Sequence, residues 1–236
     1  LGDDGRFTGF RHAPDDPDSL GDDRVFAILE DRRGRLWIGT YGGGLDVFDP
    51  ETGVFTHHRH DPDDPSSLSS NLVRALWQDH LGTLWIGTDG GGLNRYHPET
   101  GTFTAYRHDP VEATTVSSDR IYSLHQDRSH VLWGGTYGGG LSFFDVSKKR
   151  FRGHRHDPSN PNSLSHDIVW SFHEDPDGVL WIGTDSGGLN RFDRAVGRWQ
   201  SYAHRPEDPR SLSHDTVRSV HGDREGRLWV ATNGGG

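Results

Sequence analysis

The sequence predicts an all-β chain of repeated four-stranded antiparallel units, and three observations carry that reading. The tryptophan of a Leu-Trp pair recurs at Trp37, Trp85, Trp133, Trp181 and Trp229, every step being 48 residues without insertion or deletion. The same register aligns Asp31, Asp79, Asp127, Asp175 and Asp223, with His12, His60, His108, His156 and His204, and with Pro14, Pro62, Pro110, Pro158 and Pro206. Each unit also holds four short segments rich in β-branched and aromatic residues, and none has an apolar helical period over about ten residues. Four strands in a repeat of about 40–50 residues are the pattern of β-propeller blades.

In the second unit the strands, from the axis outward, are A (Leu72 to Gln78), B (Leu84 to Thr88), C (Leu93 to His97) and D (Phe103 to His108). Between A and B, Asp31 to Gly34, Asp175 to Gly178 and Asp223 to Gly226 suit type I turns ending in glycine. Alternation along B puts Leu84, Ile86 and Thr88 on one face and Trp85 and Gly87 on the other. The ring then packs on the neighbouring blade, and the glycine admits close approach. The runs Gly42 to Gly44, Gly90 to Gly92 and Gly138 to Gly140 join B to C. No helix and no Lys-Ser/Thr follows them, so they read as tight turns with positive φ rather than phosphate loops.

The chain divides into repeat units 7–54, 55–102, 103–150, 151–198 and 199–236 of a single propeller domain or fragment. It begins just before a D strand, Phe7 to His12, and stops just before a C strand. A closed ring of five units falls four residues short, the four that match Leu189-Asn190-Arg191-Phe192. The expectation is therefore about five units, four complete blades plus flanking strands, as part of a larger ring or completed by another chain. Five-bladed closure, with the N-terminal D strand joining the last blade, is the alternative.

The segments Asp31 to Phe55 (DRRGRLWIGTYGGGLDVFDPETGVF) and Asp79 to Phe103, followed by Ser67-Leu68-Ser69, Ser163-Leu164-Ser165 and Ser211-Leu212-Ser213 before strand A, carry a family resemblance. They resemble the two-component-regulator propeller repeat, found in the sensor region of bacterial hybrid histidine kinases. That resemblance covers essentially the whole chain. It implies an extracytoplasmic, usually seven-bladed propeller with a sensory role and a periplasmic or extracellular location. The chain departs from it in blade number and in having no kinase, receiver or transmembrane segment.

Composition narrows the functions. Apolar residues are only 31% of the chain, but 11 Phe and 8 Trp deliver apolar area as a few large rings, unlike a disordered acidic chain. No apolar run approaches the ~20 residues of a spanning helix, so no membrane insertion is expected in this segment. A formal charge of −10 disfavours nucleic acid as a partner. With no cysteine there are no disulfides, thiol nucleophiles or Cys-type zinc sites. The chain has neither an initiating Met nor a signal peptide pattern, and is expected to be a piece of something larger.

His58 with His60, and His154 with His156, lie two apart on expected D strands and so share a face, as metal ligands could. Polar residues on an outer edge strand explain them as well, and no third ligand is evident. His125, His173 and His221 stand where Leu29 and Trp77 stand in the first two units. Such exchange indicates a packed site, with a repeated Asp as hydrogen-bond partner. Protonating all 16 histidines would move the charge from −10 to +6, so a pH response is open. The Asp-Pro clusters Asp61 to Pro65 and Asp157 to Pro161 lack the glycine and terminal Glu of a calcium loop, and suit aspartates capping their own turns. Ser165-His166-Asp167 is contiguous, which does not give triad geometry. No catalytic motif stands out, and no metal or cofactor is assigned.

Positions that differ between units are the better guide to function. One B–C loop position reads Tyr41, Asp89, Tyr137, Asp185 and Asn233, and one position early in strand A reads Phe26, Arg74, Tyr122, Trp170 and Arg218. Both fall at the mouth of the channel. Aromatics mixed with Asp, Asn and Arg suit a carbohydrate, whose apolar patches stack on rings while polar groups take its hydroxyls. The plain alternative is a solvent-facing cap. The readings carried forward are a non-catalytic sensor module binding a carbohydrate or partner domain at the mouth, and a stand-alone multivalent lectin-like or protein-interaction propeller. A propeller lyase would need a catalytic group that the repeat pattern does not offer.

Overall fold

The computed structural model describes residues 7–145 and 150–236. It is all-β, with no helix among the described residues. Four sheets have four antiparallel strands each: β1 (Val25–Glu30), β2 (Leu36–Thr40), β3 (Leu45–Asp49) and β4 (Val54–His58) in the first; β5 (Val73–Gln78), β6 (Leu84–Thr88), β7 (Leu93–His97) and β8 (Thr102–Tyr106) in the second. The third holds β9 (Ile121–Gln126), β10 (Leu132–Thr136), β11 (Leu141–Asp145) and β12 (Arg150–His154), and the fourth β13 (Val169–Glu174), β14 (Leu180–Thr184), β15 (Leu189–Asp193) and β16 (Arg198–Tyr202). A two-stranded sheet, β17 (Val217–Gly222) and β18 (Leu228–Thr232), follows. Within each sheet the strands lie in chain order, and the first strands of successive sheets touch one another. These are β-propeller blades with strand A innermost.

In the second and third blades both faces of strand B are buried between neighbouring blades. Trp85 is buried with Val116, Ile121 and Leu132 of the third blade, whereas Leu84 and Ile86 face back onto Trp37 and Val47 of the first. Burying such a ring is worth roughly 2–3 kcal/mol, and the arrangement repeats at each junction. Gly87 permits the approach: a Cβ there would stand 2.9 Å from both Ile121 Cγ2 and the Ile121 carbonyl oxygen.

The A–B turns close as the sequence predicts, with the Gly34 N–H donating to the Asp31 carbonyl at 2.9 Å and Gly178 to Asp175 at 3.0 Å. The repeated aspartate does more than start the turn. Asp31 Oδ1 accepts from the backbone N–H of Arg33 and of Arg35, and Oδ2 accepts from Trp37 Nε1 at 2.9 Å. The Asp clusters of the D–A loops cap their own backbone: Asp61 Oδ1 accepts from the Asp63 N–H, and Asp157 Oδ1 from the Ser159 N–H. The repeated histidines brace the same loops, His60 Nδ1 lying 2.8 Å from the Leu68 carbonyl and His156 Nδ1 2.8 Å from that of Leu164.

Three expectations need correction. Phe7 to His12 is not a strand, because no C strand among the described residues lies beside it to pair. Its Phe10 instead packs on Phe48 and Phe55 of the first blade, at centroid distances of 4.8 and 5.7 Å. The segment therefore does not close the β17–β18 sheet, and the five-bladed closure is not formed. Ile28 is 65% and Trp229 58% exposed, against 2% for Trp37, so the first and last sheets present uncovered faces.

The histidine pairs do not share a face either. His58 ends β4 and stacks on Trp37, and His154 stacks likewise on Trp133. His60 and His156 lie beyond the strands in the loops. Finally, His125 does pack, against Trp77 and Phe172. Its Nε2 finds no partner among the described residues, since the repeated aspartates are taken by the tryptophans.

Candidate functional site

Two local features create the mouth. The first is a β-bulge: pairing of strand A with strand B skips one residue at 26, 74, 122, 170 and 218. A bulged residue is left unpaired and its side chain is re-aimed. Phe26, Arg74, Tyr122, Trp170 and Arg218 are these residues, and the bulge is the cause of the variable column seen in the sequence. The second feature is a backbone clip. The N–H groups of Tyr41, Asp89, Tyr137, Asp185 and Asn233 donate to the carbonyls of Arg24, Leu72, Arg120, Ile168 and Thr216, at 2.8 to 3.0 Å. Each B–C loop residue is thereby fixed beside the bulge of its own blade.

The side chains of nine of these ten residues form one connected band. The Arg74 guanidinium carbon lies over the rings of Phe26 (4.2 Å), Tyr41 (4.9 Å) and Tyr122 (4.8 Å), joining three blades. Such contacts are worth ~0.5–2 kcal/mol, more where water is excluded. Tyr122 meets Tyr137 at 5.3 Å and Trp170 at 5.4 Å, and Arg218 covers Trp170 at 3.9 Å. Trp170 Nε1 donates to Asp185 Oδ1 at 3.2 Å. Asn233 holds its place in the backbone, and its side chain makes no hydrogen bond among the described residues.

Asp89 is the electrostatic centre of the band. Its carboxylate accepts from Arg120 Nε at 2.7 Å and Tyr122 Oη at 2.8 Å, with Arg74 at 3.4 Å. Burial alone would raise its pKa, but the Arg120 and Tyr122 hydrogen bonds and the two guanidinium charges outweigh it and hold the group below the ordinary carboxylate value. Burial and the bond to Asp89 push the Tyr122 phenol up.

Sequence reasoning missed Arg120 and Arg24. Arg120 also lies over Tyr137 at 4.2 Å, and Arg24 over Tyr41 at 4.9 Å while binding Asp22. The signal was present: their column reads Arg24, Leu72, Arg120, Ile168, Thr216, with arginine in the two blades that carry tyrosine in the B–C loop. The Ser165-His166-Asp167 side chains go elsewhere. Ser165 Oγ donates to the Gly187 carbonyl, His166 Nδ1 accepts from the Ile168 N–H, and Asp167 Oδ1 accepts from the His156 N–H. A separate groove of about 620 Å³ lies between the fourth blade and β17–β18, lined by Trp181, Tyr202, Leu228 and Val230 among others.

Residues 19–42, 163–186 and 211–234 match the family model described as "Two component regulator propeller". These three stretches are similar to two component regulator propeller repeats. They run from the end of the D–A loop through strands A and B into the glycine turn, the parts that build the mouth. No curated protein sequence matches the chain. Among solved structures, the extracellular domain assigned to a hybrid two component system of B. thetaiotaomicron is 25% identical with a TM-score of 0.77, over 90% of this chain and 28% of that one. A second extracellular domain, assigned to a one component system of the same organism, is 24% identical with a TM-score of 0.57, over 90% of this chain and 33% of that one. The virginiamycin B lyase of Staphylococcus aureus shares the fold at 13% identity, with a TM-score of 0.63 over 91% of this chain and 66% of that one. The repeats thus form a propeller domain that resembles extracellular sensor regions of two component systems, and the chain spans under a third of the first such region's length.

Proposed function

We propose that this propeller is the non-catalytic, ligand-binding part of an extracytoplasmic sensor, and that its ligand, a carbohydrate or a partner domain, docks at the mouth. The observation that carries the reading is the band itself. The bulge and clip positions are among those at which otherwise repetitive blades differ, and their aromatic, Arg and Asp side chains converge into one surface spanning blades one to five. A pure scaffold gains nothing from that variation. The resemblance to extracellular sensor regions supports the same location and role.

The test is equilibrium binding to a glycan panel, with Tyr41→Ala, Tyr137→Ala and Trp170→Ala combined. Loss of binding with the fold retained is expected, and unchanged binding rejects the mouth. A lectin-like propeller with one weak site per blade is the second reading. It predicts a stoichiometry that follows blade number, whereas a composite band of unlike residues predicts one ligand per chain.

A further inference from the structure

We infer that the two aspartates of the mouth have different duties: Asp89 holds the band together, and Asp185 is the ligand-facing acceptor, specific for a hydroxyl-rich, glycan-type ligand. The inference rests on the mouth reading above and names the residues that would give it specificity.

The two carboxylates occupy the same repeat position in the second and fourth blades, so what surrounds them can be compared column by column. The next blade gives Asp89 both Arg120 and Tyr122, at 2.7 and 2.8 Å, and its own blade gives it Arg74. Around Asp185 the corresponding residues are Thr216, Arg218 and Trp170. Thr216 is buried and cannot reach across as an arginine does. Arg218 lies on the Trp170 ring and makes no ion pair or hydrogen bond among the described residues. Asp185 therefore keeps one bond, from Trp170 Nε1 to Oδ1, and its Oδ2 has no partner among the described residues.

Other free groups flank it. The Tyr137 ring is 6.3 Å from that of Trp170, and its hydroxyl makes no hydrogen bond among the described residues. Asn233, next in the clip column, is exposed. A carboxylate oxygen, a guanidinium and a phenol beside an indole thus form an acceptor with donors around it and an apolar edge. That set matches adjacent hydroxyls on a sugar ring, one donating to Asp185 and its neighbour accepting from Arg218. At Asp89 both carboxylate oxygens already accept from protein donors.

The experiment uses isothermal titration with maltotetraose, cellotetraose, mannotetraose and a galacturonic acid trimer. For a glycan that binds the parent chain, Asp185→Asn is expected to weaken binding about tenfold or more with little change in melting temperature. The pair Thr216→Arg with Arg218→Tyr gives Asp185 the two next-blade partners that Asp89 has. It is expected to abolish binding while leaving the fold intact. The reverse change, Arg120→Thr and Tyr122→Arg with Arg74→Trp, gives Asp89 the surroundings of Asp185 and is expected to add a second, weaker site. Unchanged affinity in both Asp185→Asn and Thr216→Arg/Arg218→Tyr overturns the inference even if the aromatic triple variant abolishes binding. Failure of every glycan to bind the parent chain overturns the mouth reading as a glycan site, and this inference with it.

Discussion

Trp85 donates its indole N–H to Asp79 Oδ2 at 2.9 Å, six residues back and across the A–B turn. The bond recurs from Trp37 to Asp31, Trp133 to Asp127, Trp181 to Asp175 and Trp229 to Asp223, at 2.7 to 3.1 Å. It explains why these two columns are invariant along the chain. One carboxylate shapes the turn with Oδ1 and satisfies the only polar atom of the inter-blade ring with Oδ2. Asp79→Ala leaves a buried indole N–H and two turn N–H groups unpaired. A loss of about 2–3 kcal/mol is expected in urea denaturation, against under about 1 kcal/mol for an exposed loop aspartate such as Asp63.

Two of these carboxylates set an acid limit. Asp31 sits below the ordinary 3.8: burial opposes this, but the Trp37, Arg33 and Arg35 bonds overcome it, and Asp223 is lowered to about 2. A depressed carboxyl pKa gives stability that is complete above the unfolded value and lost as pH falls through the folded one. A drop in melting temperature is therefore expected between about pH 4 and pH 2, where Asp223 titrates to its lowered value. Asp31→Asn should flatten part of it.

Histidines add an earlier transition. Burial lowers the pKa of His58, His125, His154 and His173 below 6.5. The folded state prefers them neutral, so their contribution is intact above pH 6.5 and declines as pH falls below it. Melting at pH 7.5 and 5.0 should differ, the acid sample being less stable. The equivalent junction residues Tyr106 and Tyr202 sit near Trp85 and Trp181, and a phenol has no basic ring nitrogen. His58→Tyr with His154→Tyr should therefore shrink the difference.

Why some features could be read from the sequence and others not follows from particular residues. The 48-residue step and the Leu-Trp pair of strand B report contacts that every blade repeats, so position alone reveals them. The bulge column was legible because Phe26, Arg74, Tyr122, Trp170 and Arg218 break the repeat where packing does not require identity. Arg120 was missed because its role depends on a residue 31 positions away in another blade. The Asp–Trp bond was missed because an aspartate opening a glycine turn already has a sufficient local explanation. The D-strand assignment for Phe7 to His12 failed for the opposite reason: a strand exists only with a partner, and the repeat register preserved its packing residue Phe10 without supplying one.

At the mouth, Arg120→Ala removes the shortest contact to Asp89. Arg120 is nearly half exposed, so the stability loss should be about 1 kcal/mol after screening. The sharper readout is the carboxyl itself, which should titrate higher than in the parent chain when followed by carbon NMR. No change would mean that Arg74 and Tyr122 alone hold it down.

The glycine turn separates strain from collision. Gly90 and Gly92 both have positive φ, +94° and +79°. A Cβ on Gly90 meets nothing within 4 Å, but one on Gly92 would lie 2.2 Å from the Tyr106 carbonyl oxygen, where strand D ends against the turn. Gly90→Ala should cost only the left-handed backbone term, about 1 kcal/mol. Gly92→Ala adds a clash with backbone that cannot move without opening the β7–β8 pairing. It should cost clearly more, and hydrogen exchange should report the excess as faster exchange across Leu93 and Tyr106, paired in that ladder. Equal losses in the two variants would place the whole cost in the backbone angle.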